Sequence, residues 1–382
     1  MVDTKGNNMV DSIGMASAGP EPKQPWDTAG PVVRLVCPDC QGALRTEGDE
    51  LICGACGAVG RYLDGVPCFT DAKYYWGEVP EQTMRLANEL ADAEGWQAAV
   101  EKTVPRAELR QYICDARRAD FQYLWDLPAD ATILDVGAGW GAIAAALAVN
   151  FSRVVAAEGV YERTRFIEKR ARQSGLTSLQ AVCADFLRLP FAPGQFDAIV
   201  LNGVVEWIGL ASPEGDPREL QLRFLRRMRE LLKPSGLVCV GIENRVGWSM
   251  FRGAPDHSGL PYTSLMPRAL ARYWCRRNQG NYRSDKNASY RTYTYSLGGY
   301  RRLFHEAGFE GFQAFHAYDG YNKPSVLLPL ENQRALLHFV KRLELGRIGW
   351  RGYVREKILQ MAARTGVWAR GASEYIFLLK RS

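Results

Sequence analysis

The chain of 382 residues is 47% hydrophobic and 24% charged, with a net charge of +6. That balance is the one expected of a soluble globular protein, and the length predicts two or three folded units. No apolar run is long enough for a transmembrane helix, which excludes a helical membrane-spanning protein.

Residues 1–30 are rich in Gly, Pro, Ser and Asn and are expected to form a disordered lead-in. They lack a basic start followed by an apolar stretch, so a secretory signal is not expected, and the expected location is cytoplasmic. The next unit spans residues 31–75. "LVCPDCQGAL" supplies Cys37 and Cys40, and "LICGACGAVG" supplies Cys53 and Cys56, with twelve residues between the pairs. Each C-x2-C pair can grip one side of a tetrahedral zinc ion from a tight turn, with a hairpin between. Four thiolates leave no open coordination position, so the zinc is expected to be structural. The alternatives are a ribbon without metal or two disulfides, the latter disfavoured in a reducing compartment. "GRYLDGVPC" then fits a strand, a turn at Asp64-Gly65 and a second strand. Residues 33–70 resemble the small zinc-ribbon proteins that partner and activate nucleic-acid and protein methyltransferases. Cys68, Cys114, Cys183, Cys239 and Cys275 stand singly in apolar contexts and read as core residues.

Apolar spacing is helical from Glu81 to Trp96 and from Pro105 to Leu127, so residues 76–127 read as a helical linker or cap. From residue 128 strands and helices alternate. "TILDVG" from Thr132, "RVVAAE" from Arg153, "LQAVCAD" from Leu179, "FDAIVLNG" from Phe196 and "GLVCVGIEN" from Gly236 are near-continuous apolar runs. Charged helical patterns separate them, among them "ERTRFIEKRARQSG" and "PRELQLRFLRRMRELLKPSG". Such alternation predicts an α/β fold, a mostly parallel, doubly wound sheet covered on both faces. A helix over Ser296–Ala307, a strand near Phe309–Ala317, a helical stretch over residues 330–365 and a last strand in "SEYIFLLKRS" complete the chain.

Ligands of such sheets sit beyond the C-terminal ends of the strands. The first strand ends in Asp135 and the loop "GAGWGA". Gly137, Gly139 and Ala142 fit a dinucleotide fingerprint, and Gly137, Gly139 and Gly141 equally fit the loop of S-adenosylmethionine (SAM) enzymes. Glu158 closes the second strand, where a carboxylate can accept both ribose hydroxyls of either cofactor. Asp185 and Phe186 close the third, an acid for an adenine amino group beside an aromatic for the ring. Asn202 closes the fourth. The ordered set over Phe121–Asn244 resembles the class I SAM-dependent methyltransferases, which have a Rossmann-like fold. That resemblance implies a seven-stranded sheet over residues 128–382, with insertions at about 244–295 and 319–371 and the last strand antiparallel. It implies that Asp135, Gly137, Gly139 and Gly141 surround the methionine and ribose of SAM. Glu158 would hold the ribose diol, Asp185 and Phe186 would contact adenine, and Asn202 would lie near the transferred methyl.

Methyl transfer is an in-line displacement, and an oxygen or nitrogen acceptor also needs somewhere to leave its proton. His257, Glu206 and Asp256 are the candidate bases, beyond the fourth and fifth strands; Glu243 and Asn244 close the fifth. His305 and His338 in helical patterns, and His316 in a strand pattern, read as structural. "IENRVGW…GAPDHSG", "YTYSLGGYRRLFHEAGF" and "AYDGYNKP" resemble segments of methyltransferases of bacterial surface-polysaccharide and glycan pathways. That implies a sugar, glycan-linked or other small anionic acceptor. Nine basic residues and one acid between Arg268 and Arg302, interleaved with tyrosines, keep an RNA acceptor in view. The same residues read equally as a solvated basic face with core tyrosines. A non-catalytic activator module of the same fold is the third reading. Nothing in the sequence fixes an oligomeric state.

Overall fold

The structure is a computed structural model and describes residues 33–70, 78–212, 214–278, 290–343 and 350–381. The expected lead-in over residues 1–30 lies outside these residues, as do Tyr282, Arg283, Asp285 and Lys286 of the basic segment. Twelve strands follow one another among the described residues. Four are short: β1 (Leu44–Glu47), β2 (Glu50–Cys53), β3 (Gly57–Leu63) and β4 (Val66–Cys68). Five more follow, with helices between all neighbours in sequence but β7 and β8, which a loop joins: β5 (Thr132–Val136), β6 (Arg153–Glu158), β7 (Leu179–Cys183), β8 (Phe196–Asn202) and β9 (Leu232–Glu243). The last three are β10 (Gly311–Tyr318), β11 (Val326–Pro329) and β12 (Glu374–Lys380).

They make one sheet in the order β1-β2-β3-β4-β7-β6-β5-β8-β9-β12-β10-β11. Strands β7, β6, β5, β8 and β9 are mutually parallel. The final strand β12 sits between β9 and β10, antiparallel to both. The seven strands expected from the sequence are contiguous in the middle, but the sheet holds twelve. The added β11 is a short edge strand beyond β10. The other four belong to the cysteine unit, which joins the opposite edge through the parallel pairing of Cys68 with Cys183.

Alternate residues of the parallel strands feed two cores. Leu134, Val136, Val155, Ala157, Ile199 and Leu201 pack one face, with Phe224, Leu225 and Met228 of the helix Pro217–Leu231. Ile133, Val154, Ala156, Ala198 and Val200 pack the other, with Ala144 and Leu147 of the helix Ala142–Asn150 and Ile167 of Tyr161–Gln173. Burial on both faces is why these strands read as continuous apolar runs. The helix Pro217–Leu231 starts where its sequence says it must: Asp216 Oδ1 accepts from the Arg218 and Glu219 N–H groups, and Pro217 needs no donor at that position.

Over the glycine loop lies a helical cap. The helix Glu81–Glu94 stops at Gly95, which has φ +96°, and Trp96–Thr103 begins at once. The stretch Pro105–Leu127, expected as one helix, is two: Ala107–Cys114 and a 3-10 turn over Ala116–Leu124. Asp115 divides them, its carboxylate accepting from Arg117 N at 3.0 Å. Met84, Ala91, Trp96 and Val100 of the cap pack on Trp140 and Phe166. Near the C-terminus the helices Gln333–Leu343 and Trp350–Arg364 fall in the stretch 330–365 expected to be helical, of which 344–349 lie outside the described residues, and a short helix Val367–Gly371 follows it. His305 and His338 lie within helices and His316 within β10. No helix among the described residues is long and apolar enough to cross a membrane.

Candidate functional site

The carboxyl ends of β5–β9 open into one cleft of about 960 Å³, lined among others by Gly137, Gly139, Glu158, Asp185, Phe186, Asn202, Trp207, Glu243, His257, Tyr321 and Asn322. The first wall is the glycine loop. Gly137, Gly139 and Gly141 hold φ of +69°, +57° and +76°, a region costly for side chains with a Cβ. A Cβ on Gly137 would also lie 2.9 Å from Val204 Cγ2, and one on Gly141 2.8 Å from Ile167 Cγ1. Gly141 therefore serves the packing of loop on helix and does not line the cleft.

Glu158, 1% exposed, anchors the loop. Its Oε2 accepts from Gly139 N at 2.9 Å and its Oε1 from Val160 N at 3.1 Å. Arg163 Nη1 lies 3.7 Å from Oε1 and its Nη2 bonds Glu78 at 2.7 Å. Burial pushes the Glu158 carboxyl above its ordinary value, against the pull of Arg163 and the two N–H groups. Asp135 lies buried beneath the loop, its Oδ2 without a hydrogen-bond partner among the described residues. Burial raises it to about 7. Asp185 lines the cleft and caps Leu187 N at 2.7 Å. Asn202 Nδ2 donates to Asn322 Oδ1 at 3.1 Å, while its buried Oδ1 has no partner among the described residues.

The opposite wall gathers residues from three places. His257 comes from the loop after β9, Glu243 from the end of β9, and Glu206 from the 3-10 turn Val205–Leu210 after β8. His257 Nε2 is 3.2 Å from Glu243 Oε2 and 3.7 Å from Glu206 Oε1. Its ring packs on Trp207 at 4.5 Å between centroids. Tyr321 Oη donates to Glu243 Oε1 at 3.1 Å. Burial disfavours charge on His257, but Glu243, Glu206 and Asp256 together outweigh it and raise the imidazole to about 9. Burial and the Glu243 charge lift the wholly buried Glu206 to about 8. For Glu243 the burial cost is exceeded by His257 and Tyr321, and its carboxyl falls below the usual range.

Of the three candidate bases, His257 lines the cleft, Glu206 lies buried 3.7 Å from it, and Asp256 turns away. Asp256 Oδ1 accepts from Ser258 N and Oγ at 2.9 and 2.6 Å, and its Oδ2 from Tyr290 Oη at 2.8 Å. It staples the loop that carries His257. Tyr321, Asn322 and Trp207 were not singled out from the sequence. Tyr321 and Asn322 are in "AYDGYNKP", and the signal for them is the sharp turn at Asp319 and Gly320, with φ of +66° and +107°, that follows β10.

The four grouped cysteines lie at the other end of the sheet, with all four Sγ atoms within 4.8 Å of one another. The separations Cys37–Cys56, Cys40–Cys53 and Cys40–Cys56 are 3.5, 3.4 and 3.6 Å. A tetrahedral zinc with bonds of about 2.3 Å places sulfurs about 3.8 Å apart, so the cluster fits that ion. A Cβ on Gly42 would lie 3.0 Å from Cys53 Sγ, which explains glycine beside the knuckle.

Residues 134–240 match the family described as a methyltransferase domain. Two curated relatives, probable S-adenosylmethionine-dependent methyltransferases of Mycobacterium tuberculosis strains H37Rv and CDC 1551, are each 26% identical over 155 residues, 41% of this chain. The match spans about half (51%) of those relatives' length. Among solved structures, phosphoethanolamine N-methyltransferase 2 of Haemonchus contortus in complex with S-adenosyl-L-methionine aligns with a TM-score of 0.42 and 13% identity, covering 88% of this chain and 70% of that one. The glycine loop and the strands around it thus fall in the stretch that is similar to a methyltransferase domain and to probable SAM-dependent methyltransferases.

Proposed function

We propose that this protein is a SAM-dependent methyltransferase that modifies an oxygen or nitrogen of a small sugar-type or other hydroxylated metabolite. The observation that carries the reading is that one cleft joins the loop set (Gly137, Gly139, Glu158, Asp185, Phe186, Asn202) to the acid–imidazole wall (Glu243, His257). Its volume suits a nucleoside cofactor beside a small acceptor. The residues fit such a cofactor: a glycine loop that admits close backbone approach, a buried carboxylate at the second strand end, and an aromatic ring at the third. SAM, when bound, supplies an electrophilic methyl group. Gly137 and Gly139 would leave it room, Glu158 would hold its ribose, Phe186 its adenine, and Asn202 would serve its methionine end. Trp207 and Tyr321 exclude water from the other wall. Glu243, its carboxyl held below the usual range and hydrogen-bonded to His257, is where an acceptor proton can go.

The electrostatics refine the acceptor class. Glu78, Glu108, Glu158, Asp185 and Glu243 line the cleft against Arg106 and Arg163. An acidic cleft favours a neutral hydroxylated or cationic acceptor over the anionic one suggested by the sequence. It also disfavours RNA. Arg268 donates to Thr294 O and lies 3.9 Å over the Tyr293 ring, and Arg291 donates to Gly209 O and Ser212 O. Both are spent on loop structure, and Tyr290, Tyr293 and Tyr300 are buried.

We also read the four-cysteine cluster as a structural zinc site. Calorimetry with SAM tests the main reading. Wild type should bind, and Glu158→Ala should weaken binding about tenfold or more, having lost the ribose partner and the loop anchor. A correctly folded wild type that binds no SAM would sink the proposal. A steep loss of nucleic-acid binding with salt, at several phosphates' worth of slope, would instead favour the RNA reading.

A further inference from the structure

We propose that Glu206, Glu243 and His257 form a binding site for one divalent cation of the Mn2+ type, at the acceptor end of the cleft. Their possible ligand atoms lie within 4.8 Å of one another. The two measured edges, 3.2 and 3.7 Å, are near the spacing of about 3 Å between adjacent donors of an octahedral ion bonded at about 2.1 Å. The donors come from three separate elements, so the fold and not local sequence brings them together.

Glu206 makes the case independently of that clustering. It is fully buried, and neither of its oxygens has a hydrogen-bond partner among the described residues. A buried carboxyl in that condition is costly, charged or neutral, unless a donor or a cation meets it. His257 at 3.7 Å is a long contact for that purpose, and it already serves Glu243 at 3.2 Å. A dication between the three would satisfy both acids. Glu243 is also held from behind, by Tyr321 Oη on its other oxygen, as outer partners hold metal ligands. One nitrogen and two oxygens, without sulfur, suit Mn2+ and its neighbours and do not resemble the thiolate cluster at Cys37. Glu243 and His257 line the cleft beside Asn202, so the open coordination positions face the place assigned to the acceptor. An acceptor with two adjacent oxygens, such as a vicinal diol, is the chemistry that such an ion would orient. That role rests on the methyltransferase reading; the ion site itself does not.

The probe is Mn2+ alone, added to the full chain with its zinc retained and followed by electron paramagnetic resonance. Wild type should take up about one Mn2+ per chain, and Glu206→Gln and His257→Ala should each weaken it about 100-fold or more, beyond the loss of an outer partner. SAM affinity, measured by calorimetry on the same samples, should change far less than Mn2+ affinity, since neither Glu206 nor His257 is hydrogen-bonded to the glycine loop among the described residues. No Mn2+ uptake by wild type overturns the proposal, as does undiminished uptake by either folded variant; the triad is then a closed ion cluster that pins the His257 loop. Should a variant fail to fold, the wild-type titration still decides. Mn2+ uptake without SAM binding would sink the methyltransferase reading and leave the ion site standing. SAM binding without Mn2+ uptake would do the reverse.

Discussion

Asp256 shows how far a residue's neighbours along the chain can mislead. Beside His257 it reads as a second acid for catalysis, yet both its oxygens are committed to Ser258 and Tyr290. Asp256→Ala should therefore lower stability by about 1–3 kcal/mol, through the lost Ser258 and Tyr290 hydrogen bonds and the freed loop. SAM affinity should stay unchanged. Thermal unfolding and calorimetry check the two halves, and a large fall in SAM affinity would return Asp256 to the site. Gly137 is the opposite case, with its role written in its residue type. Gly137→Ala places a Cβ at φ +69° and 2.9 Å from Val204 Cγ2. It should cost about 1–2 kcal/mol of local strain and weaken SAM by about tenfold, again read by calorimetry. Asp135, Glu158, Asp185 and Asn202 were legible because each closes an apolar run, and strand ends are where such sheets bind. Glu243 was noted as a strand end, but its pairing with His257 was not readable. Fourteen positions separate them, and no periodicity connects a strand to an irregular loop.

Helices and strands were legible wherever burial is two-sided or periodic, and boundaries slipped where a single side chain intervenes. Asp115 divides the expected helix over Pro105–Leu127 because its carboxylate captures an N–H that a continuous helix would have used internally. The last helix, Val367–Gly371, is tied to the sheet by Trp368 Nε1 donating to His316 Nδ1 at 3.2 Å. Burial holds that imidazole neutral, its pKa lowered from 6.5 to about 4, with Asp319 opposing weakly. Above pH 6.5 folded and unfolded chains are both neutral here, and the contribution is complete. As pH falls toward 4 the unfolded chain takes up a proton that the folded chain refuses, so stability falls, by up to roughly 3 kcal/mol. His316→Gln keeps an acceptor for Trp368 and does not titrate. The difference in denaturation midpoint between pH 7 and pH 4.5 should be smaller in that variant than in wild type, and equal differences would refute the assignment.

At the scale of the molecule, the cysteine unit is an edge of the sheet. β4 pairs with β7, Val36 N donates to Pro190 O at 2.9 Å, and Arg188 bonds Asp39 at 2.6 Å. Val33, Leu51 and Phe69 belong to the same core as the central strands. With zinc in the cluster as proposed, its removal by a chelator should therefore lower the melting temperature of the whole chain by about 5 °C or more. It should also speed hydrogen exchange first in β4 and β7. Unchanged exchange in β7 would mean that the unit is independent. The sequence by itself determined the alternation of strands and helices, the glycine loop, the four thiols and the acids at the strand ends, because all of these are local patterns of burial, spacing or backbone freedom. Tertiary structure alone decided that the cysteine unit extends the sheet to twelve strands, that Asp256 turns away, and that buried Glu206 converges with Glu243 and His257 at the wall of an acidic cleft. Those outcomes depend on which distant segments share a buried space, and burial fixes both the partners and the protonation of the groups enclosed there.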